Sequence, residues 1–363
     1  MRFRRLWTNH FRNLESQWID LDAKEVILVG ANGQGKTNLL EALYTLCYGS
    51  SFRTAQLREL AQNGQKEFKL VGIYGDEESF EHTLELEYKD SKRSVSLDGK
   101  LIKDRKHLIY NIPCIVFSHD DIAFVRGEPE ARRLFFDQTM SMYNPLFFDD
   151  LRRYRQILRQ RNLAIKEGRD SLLPIYNQQL ARHGISIQAE RTATTARFNE
   201  IFPPLYREIS GDEVNIEVSY TPSWRNCATE EEVVAYLANH RERDRIMNTT
   251  TSGIHRDRFV ITCDGQPFSQ IGSTGQLRLA SLVLRSAQMA FYETMTAKKP
   301  VILVDDVLLE LDHQKRERFL ANLTPYSQAF FTFLPDEHYS SSLQGQKSLL
   351  YTVAEGRFDG GQG

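Results

Sequence analysis

A single stretch decides the fold of this chain: residues 25–37, EVILVGANGQGKT. Its apolar beginning predicts a buried strand, and residues 38–44, NLLEALY, have helical spacing and good helix formers. Between them, residues 30–37 fit the P-loop pattern G-x-x-x-x-G-K-[ST]. Glycines let backbone N–H groups surround an anion, and the following helix adds its dipole. The stretch therefore predicts a nucleotide phosphate site.

Two side chains of the P-loop have their own predicted roles. Lys36 is expected to reach the β- and γ-phosphates of ATP, and Thr37 is expected to bind Mg²⁺. The alternative is a glycine-rich turn that only joins a strand to a helix. The predicted nucleotide ligands of this loop are Gly30, Ala31, Asn32, Gly33, Gln34, Gly35, Lys36 and Thr37.

Length and composition indicate a globular protein of ordinary type. The 363 residues are enough for two domains, or for one domain in two lobes. Hydrophobic residues make up 41% and charged residues 26%, which excludes disordered and fibrous classes. Since the net charge is −2, any binding of nucleic acid has to use a local basic patch.

The cysteines and the apolar runs point to a cytosolic protein. The four cysteines, Cys47, Cys114, Cys227 and Cys263, are far apart and form no C-x-x-C pair. This pattern predicts neither a disulfide framework nor a zinc site, and it fits a reducing compartment. No apolar run approaches the ~18 residues of a membrane helix. No apolar signal core follows the first residues.

Short apolar runs separated by turns fill the first third of the chain. Residues 1–29 predict two strands joined by a turn at residues 10–13, and residues 68–102 predict further strands with an Asp98-Gly99 hairpin. The P-loop is therefore expected in a mixed sheet that contains these antiparallel strands. Residues 112–117 predict another buried strand.

The character of the sequence changes after residue 120. Residues 120–210 have helical periodicity, with predicted breaks at Pro145, Pro174 and the pair Pro203-Pro204. Strands are expected again at residues 214–220 and 258–268, followed by one long helix over residues 274–295. Residues 301–304 and 329–333 predict two more strands. The glycine-rich tail from Gly356 is expected to be disordered.

A second candidate site follows the apolar run VILV, residues 301–304. This is the Walker B layout, in which a buried strand ends in a carboxylate, here Asp305, for Mg²⁺. Asp306 is placed to act as a general base on the attacking water. An unremarkable strand end is the alternative. Because Asp305 is so far from Lys36 in sequence, an insertion must split the nucleotide-binding core.

The distance between the two motifs resembles that in ABC-type heads of the SMC class of DNA-acting ATPases. Such heads need a third element, presented by a partner subunit. Residues 273–276, STGQ, have the form of an ABC signature, although an ordinary helix N-cap is the alternative. Residues 310–312, ELD, match a D-loop that crosses a dimer interface. The predicted contacts in trans are Ser273, Gly275, Gln276 and Asp312.

Together these motifs resemble the RecF family of bacterial recombinational-repair ATPases over nearly the whole chain. The matching segments are residues 8–13, 32–42, 51–53, 127–137, 253–257, 305–307 and 310–312. Ile254 and His119 stand where the family has proline, Thr274 replaces a larger polar or basic residue, and Leu309 replaces a serine. No obvious switch histidine follows the last predicted strand.

The resemblance implies an α/β fold, a P-loop ABC-type ATPase head with mixed sheets and no coiled coil. Lobe I, with Walker A, Walker B and the D-loop, would comprise residues 1–117 and 297–363. A largely helical lobe II, residues 118–296, would carry the signature. The implied ligands are ATP and Mg²⁺. The implied activity is weak DNA-stimulated ATP hydrolysis, with an ATP-dependent homodimer on gapped, single-stranded or junction DNA that loads recombinase with RecO and RecR.

Two groups of arginines are candidates for contact with DNA. Arg152, Arg155 and Arg159 share one helical face, flanked by Arg153 and Arg161. The alternative is a solvated face that pairs with Asp149, Asp150 and Glu167. The second candidate group is Arg2, Arg4, Arg5 and Arg12. For His255, binding to DNA, binding to nucleotide and a core position all remain open.

Two other functions compete with a DNA-acting ATPase. An ABC transporter subunit predicts a clean Q-loop, a full L-S-G-G-Q signature and a switch histidine, and the sequence shows none of these in full. A structural SMC head predicts sustained heptads, whereas residues 120–210 contain prolines. ATPase activity measured with and without DNA separates the first alternative from the DNA-acting ATPase.

Overall fold

The computed structural model describes residues 1–76, 80–335 and 348–360. The strands are β1 (Arg2–Asn9), β2 (Trp18–Asp20), β3 (Glu25–Val29), β4 (Phe68–Gly75), β5 (His82–Lys89), β6 (Lys92–Leu97), β7 (Lys100–Leu101), β8 (Cys114–Phe117), β9 (Ile216–Thr221), β10 (Arg258–Cys263), β11 (Gln266–Pro267), β12 (Val301–Val304), β13 (Gln328–Phe333), β14 (Ser348–Ala354) and β15 (Arg357–Gly360). The helices are α1 (Lys36–Tyr48), α2 (Lys106–Ile109), α3 (Ala123–Arg126), α4 (Pro129–Tyr143), α5 (Pro145–Lys166), α6 (Leu173–Ser210), α7 (Glu230–Asn239), α8 (Arg241–Ile246), α9 (Phe268–Ile271), α10 (Thr274–Thr296) and α11 (His313–Ala321).

The chain divides into two units: Met1–Asp120 with Tyr292–Gly363, and Asp121–Phe291. We call them unit 1 and unit 2. The second boundary falls inside α10. The bounds predicted from the sequence were residues 1–117 with 297–363 for lobe I, and residues 118–296 for lobe II.

A mainly parallel sheet in unit 1 carries the P-loop strand. Its order is β15-β14-β3-β13-β12-β8, and only β15 is antiparallel to its neighbour. Every residue of β12 and β13 is buried, as expected for parallel strands that are covered on both faces. Because β13 lies between β3 and β12, the carboxyl ends of these three strands meet at one edge of the sheet.

The antiparallel strands form a separate sheet in unit 1, of order β2-β1-β4-β5-β6-β7. The expectation that they share a sheet with the P-loop was therefore wrong. The pairing of β3 is with strands near the other end of the chain, which local sequence does not reveal. The predicted hairpin at Asp98 and Gly99 is present, with φ angles of 48° and 75°. Residues 1–29 form three strands, one more than predicted.

Helices dominate unit 2, as predicted. Pro145 and Pro174 stand in the first turns of α5 and α6, where proline costs no hydrogen bond. Side-chain contacts from Asp150 to His183 and from Arg161 to Asn177 show that α5 and α6 are antiparallel. The remaining sheet of this unit is antiparallel, of order β11-β10-β9.

Pro203 and Pro204 do not end or interrupt a helix, contrary to prediction. They lie inside α6, which runs for 38 residues. The residues Phe198, Phe202 and Tyr206 are buried one turn apart on both sides of the pair. Packing of this aromatic face holds the helix together, although two backbone N–H donors are missing.

The tail is ordered from Gly356 to Gly360, which corrects the expectation of a disordered tail. Strand β15 pairs antiparallel with β14, and β14 pairs parallel with β3. The rest of the tail, residues 361–363, lies outside the described residues. All four cysteines are buried and none forms a disulfide. No described helix is long and apolar enough to cross a bilayer.

Candidate functional site

The P-loop forms an open cradle between β3 and α1. Gly33 and Gly35 adopt φ angles of 78° and 118°, which only glycine reaches without strain. Gly30 packs so closely on the Val353 backbone that a Cβ atom would overlap its carbonyl oxygen. The cradle opens into a cavity of about 210 Å³ lined by Ala31, Asn32, Gly33, Gln34, Gly35, Lys36, Thr37, Asn38, Arg53 and Asp306.

Lys36 is held at the base of this cavity. Its ammonium nitrogen Nζ donates to the carbonyl oxygens of Gly30, at 2.6 Å, and Ala31, at 3.3 Å. Asp306 Oδ2 lies 3.8 Å from the same nitrogen, and the lysine side chain is 3% exposed. A nearly buried cation at the start of a helix creates a local positive potential, so the cavity suits an anion of several charges.

The two acids after β12 meet the P-loop, which joins residues from opposite ends of the chain. Thr37 Oγ1 donates to Asp305 Oδ1 at 2.7 Å. Burial raises the pKa of Asp305, and the hydrogen bond from Thr37 opposes this rise. A hydroxyl oxygen and a carboxylate in contact are the kind of oxygen donors that Mg²⁺ takes, so the residues fit that ion.

Asp306 is fixed in an uncommon conformation at the cavity. Its φ angle is 53°, in the left-handed region. Thr332, on the intervening strand β13, donates from Oγ1 to Asp306 Oδ1 at 2.7 Å and accepts from the Asp306 backbone N–H. Since Oδ2 is not used by Thr332, one carboxylate oxygen of Asp306 can act on a molecule in the cavity.

A layer of charged side chains lies behind the P-loop, and no sequence pattern assigned these residues to the site. Glu41, on α1, is fully buried and accepts two hydrogen bonds from Arg12, at 2.9 and 3.0 Å. Arg53 also pairs with Glu41, at 3.3 Å, and donates to Asn38 at 2.9 Å. The segments 8–13, 32–42 and 51–53 of the family resemblance thus converge here, and Arg53 brings a second cation to the cavity.

The predicted signature is a helix cap in unit 2. Ser273 and Gln276 exchange hydrogen bonds, from Ser273 N to Gln276 Oε1 at 2.9 Å and from Gln276 N to Ser273 Oγ at 3.3 Å. This reciprocal pair is a capping box at the start of α10. Gly275 is exposed and nothing lies within 4 Å of where its Cβ would be. These residues do not line the P-loop cavity.

The predicted D-loop residues also have defined places in unit 1. Asp312 caps α11 by accepting from Lys315 N at 2.9 Å, and its exposed carboxylate lies 3.0 Å from Lys315 Nζ. Glu310 Oε1 lies 2.6 Å from Nδ1 of His119, in the predicted Q-loop region. The residues after β13 where a switch histidine was sought include 336–347, which lie outside the described residues.

The basic face of α5 is smaller than predicted. Arg152 and Arg155 are exposed but lie near acids, 3.4 Å from Asp149 and 3.3 Å from Asp137. Arg159 is exposed. Arg161, in contrast, does not flank this face. It is fully buried and pairs with Asp244 at 2.7 Å, because a partner far away in sequence draws it inward.

The second arginine group is largely engaged within unit 1. Arg2 lies 3.2 Å from Asp22, and Arg4 lies 3.0 Å from Glu81. The Arg5 guanidinium lies over the Trp18 ring, 5.5 Å from its centroid. Arg12 holds the buried Glu41, as described above. This group is therefore a weaker candidate for contact with phosphates than the face of α5.

His255 is partly buried, and both of its ring nitrogens are hydrogen-bonded within unit 2. Its Nε2 donates to the Thr250 carbonyl oxygen and its Nδ1 accepts from the Tyr154 hydroxyl, both at 3.0 Å. Burial lowers the pKa of His255 to about 4, so the ring is neutral at pH 7. Neither ring nitrogen is left for a ligand.

Two segments of the family resemblance, residues 127–137 and 253–257, meet in a buried ion cluster of unit 2. Arg191 lies 2.8 Å from Asp137, in segment 127–137, and 2.7 Å from Asp257, in segment 253–257. Tyr220 also donates to Asp257. Removing one partner from such a cluster leaves an unpaired buried charge, so substitution of Arg191, Asp137 or Asp257 is expected to destabilise unit 2.

Comparisons with known proteins agree with the resemblance. The family model for the RecF/RecN/SMC N terminal domain matches residues 2–349. The DNA replication and repair protein RecF of Treponema pallidum (strain Nichols) is 43% identical over 349 residues, which cover 96% of this chain and 98% of that protein.

Two solved structures are similar in fold. The recombination mediator protein RecF with ATP, in the RecFOR pathway, aligns with a TM-score of 0.88 and 27% identity, covering 99% of this chain and 97% of that chain. An Smc head bound to the C-winged helix domain of ScpA aligns with a TM-score of 0.57 and 14% identity, covering 99% and 96%. These findings confirm the predicted fold class, an α/β ABC-type head.

Proposed function

Because this chain belongs to the RecF family of DNA replication and repair proteins, we propose that it is an ATP-dependent DNA-binding protein with slow ATPase activity. One observation carries the proposal: Asp306 lines the same cavity as the P-loop, and Asp305 accepts a hydrogen bond from Thr37 of that loop, although the loop and the two acids lie near opposite ends of the sequence. ATP is the proposed ligand, as in the similar RecF structure. The proposed place of action is the cytoplasm.

In the proposed ATP complex, the P-loop backbone N–H groups bind the phosphates. Lys36 exchanges its hydrogen bonds with Gly30 and Ala31 for bonds to phosphate oxygens. Arg53 neutralises further charge from the side of the cavity. Thr37 and Asp305 would hold Mg²⁺, which supplies charge neutralisation on the phosphates when bound. Asp306 takes a proton from the attacking water through Oδ2, the carboxylate oxygen that does not accept from Thr332.

We assign the trans contacts to the exposed start of α10 and to the D-loop. Ser273, Gly275 and Gln276 would face the nucleotide of a second copy, and Asp312 would lie at the same interface. The open space around Gly275 and the exposure of Ser273 support this assignment. ATP would then join two copies into a dimer, and hydrolysis would release them.

Replacing Ser273 by arginine is expected to block the dimer and to leave ATP binding to one copy intact. A bulky cation at the interface would clash with the facing nucleotide site. Light scattering in ATP measures the dimer, and calorimetry measures the ATP affinity.

The matched control is Thr229→Arg, since Thr229 forms the capping box of α7 with Glu232. Both variants lose a helix cap, which is worth about 1 kcal/mol. If Ser273→Arg dimerises as well as Thr229→Arg does, Ser273 is only a cap.

The proposed nucleic-acid partner is DNA that contains single-stranded regions or gaps. RecO- and RecR-type mediators are the proposed protein partners, and recombinase loading is the proposed context of their action. Family membership supports this context. The exposed arginines of α5 give it a candidate surface, formed by Arg152, Arg155 and Arg159.

Replacing Arg152 and Arg159 together by glutamine is expected to weaken DNA binding without changing ATP affinity. Arg155 is left in place because it pairs with the buried Asp137. The slope of log K against log[salt] should flatten by roughly 0.9 for each lost phosphate contact on duplex DNA.

The control replaces two exposed arginines elsewhere, Arg169 and Arg357, by glutamine. An unchanged slope in the Arg152/Arg159 variant would show that this face is only solvated.

The proposed function as a whole is tested by ATP hydrolysis with and without gapped DNA. A DNA-acting ATPase hydrolyses ATP faster when DNA is present. A rate that no DNA structure changes, together with no measurable DNA binding, would refute the proposal and favour an ABC ATPase of another system.

A further inference from the structure

The turn between β14 and β15 is hydrogen-bonded to the P-loop through two of its backbone N–H groups. The backbone N–H of Gly356 donates to the Gln34 carbonyl oxygen at 2.8 Å. The backbone N–H of Glu355 donates to Gln34 Oε1 at 2.7 Å. Two consecutive donors of one turn thus bind the same P-loop residue, on its main chain and on its side chain.

Gln34 is the P-loop residue at which these two hydrogen bonds can restrict the backbone of the loop. It stands between Gly33 and Gly35, whose φ angles of 78° and 118° give the loop its curvature. A glycine that is not held by contacts samples many backbone conformations, so fixing Gly33 and Gly35 at these φ angles costs conformational entropy. Hydrogen bonds to Gln34 reduce that freedom before any ligand arrives.

Asn13 holds the same loop and connects it to the turn. Its Nδ2 donates to the Gly33 carbonyl oxygen at 3.1 Å, and its Oδ1 accepts from Asn38 at 2.7 Å. Gly356 packs on the Asn13 backbone so closely that a Cβ atom would overlap the Asn13 carbonyl oxygen. In addition, Glu15 N donates to the Gly356 carbonyl oxygen at 3.1 Å. The cradle is therefore fixed between two loops, and Gly356 is the close contact between them.

We propose that the turn at Glu355 and Gly356 is a positioning element that pre-organises the P-loop for a nucleoside triphosphate. The inference rests on the proposed function, because it assigns the turn a role in binding at that site. Preorganisation strengthens binding by lowering the entropy that the ligand must remove. By linkage, a bound triphosphate must also stabilise the turn to the same extent.

A second hairpin provides a matched control. The turn at Asp98 and Gly99 has φ angles of 48° and 75°, and the turn at Glu355 and Gly356 has φ angles of 51° and 82°. Alanine at either glycine meets the same left-handed strain. Nothing lies within 4 Å of a Cβ atom at Gly99, whereas the Gly356 site is filled by Asn13. Only Gly356→Ala therefore disturbs the P-loop as well as its own turn.

The test compares the ATP affinity of Gly356→Ala, Gly99→Ala and the native chain, with thermal unfolding measured on each. We expect Gly99→Ala to keep the native affinity. Gly356→Ala should bind ATP about tenfold more weakly, as for the loss of one or two hydrogen bonds. Equal affinities of the two variants would overturn the positioning role. A native chain that does not bind ATP would instead overturn the proposed function.

Amide hydrogen exchange of the native chain gives a second readout if Gly356→Ala does not fold. ATP should slow exchange at the amides of Glu355 and Gly356 severalfold, and it should leave Gly99 and Lys100 unchanged. A purely structural turn shows no response to the ligand. Exchange at Glu355 and Gly356 that is the same with and without ATP would overturn the proposal.

Discussion

Replacing Asp306 by asparagine is expected to slow ATP hydrolysis by about 10²–10⁴-fold, the usual contribution of a general base. Asparagine tolerates the left-handed φ of 53° at this position, and its oxygen can still accept from Thr332. The fold and the ATP site should therefore be preserved. Because Asp306 Oδ2 lies 3.8 Å from Lys36, loss of its charge should leave ATP binding unchanged or stronger. The ATP-bound dimer should persist on DNA.

The control is Asp305→Asn, which changes the neighbouring acid in the same way. Asp305 contacts Thr37, so its loss should damage Mg²⁺ binding and weaken the ATP-bound dimer itself. Hydrolysis and dimer lifetime on DNA are measured for both variants. Native hydrolysis in Asp306→Asn would place the base elsewhere. Failure of that variant to dimerise would make Asp306 a metal or structural residue.

Turnover of the native protein is also expected to be slow. Many ABC ATPases have glutamate at the position of Asp306, and aspartate is one methylene shorter. Asp306→Glu is a direct probe of this difference. A faster rate in Asp306→Glu would support the base role, whereas equal inactivity of the Glu and Asn variants would count against it.

The second large effect is expected on ATP affinity, because replacing Lys36 by methionine should abolish tight ATP binding. The buried ammonium is the nearest positive charge to the P-loop cradle, and methionine has similar length without charge. Loss of a buried charge-assisted contact costs about 2–4 kcal/mol, or at least about 30-fold in affinity. Isothermal calorimetry with ATP measures the loss.

Lys66→Met serves as the control, since Lys66 is exposed in the same unit. Circular dichroism and thermal unfolding show whether each variant keeps its fold. The carbonyl oxygens of Gly30 and Ala31 lose a donor in Lys36→Met, so some loss of thermal stability is expected. A folded Lys36→Met chain with native ATP affinity would falsify the assignment of the P-loop.

The parts of the fold that local sequence encodes were predicted well. The P-loop, the buried strand before Asp305, and the hairpin at Asp98 and Gly99 each follow from residue types at fixed spacing. The separation of Lys36 and Asp305 in sequence also indicated that distant segments meet, and the Thr37–Asp305 hydrogen bond shows that they do.

Most of the errors come from contacts that the local sequence pattern does not show. Arg161 was placed on a polar face because helical periodicity treats arginine as exposed, but Asp244 pairs with it in the interior. The tail after Gly356 was judged by its glycine content, yet β14 extends the parallel sheet and orders it. Aromatic packing in α6 likewise overrides the helix-breaking tendency of Pro203.

Of the residues around the cavity, the P-loop and Asp306 were candidates from the sequence, whereas the charged residues behind the P-loop were not assigned to the site. Glu41 and Arg53 appeared only as members of segments shared with the family, and Arg12 was also grouped with candidate DNA contacts, since a salt bridge between separate segments has no local pattern. The segments around Asp137 and Asp257 were matched to the family, with no role predicted for either acid. In the structure both acids contact Arg191, in a buried ion cluster of unit 2.

The most direct test of the central claim is the mass of the native protein in solution by light scattering. It is measured without nucleotide, with ADP and with ATP, in each case with and without gapped DNA. An ATP-driven switch predicts a single copy without nucleotide and with ADP, and two copies with ATP, most stably on gapped DNA. The same mass under all six conditions would contradict the account.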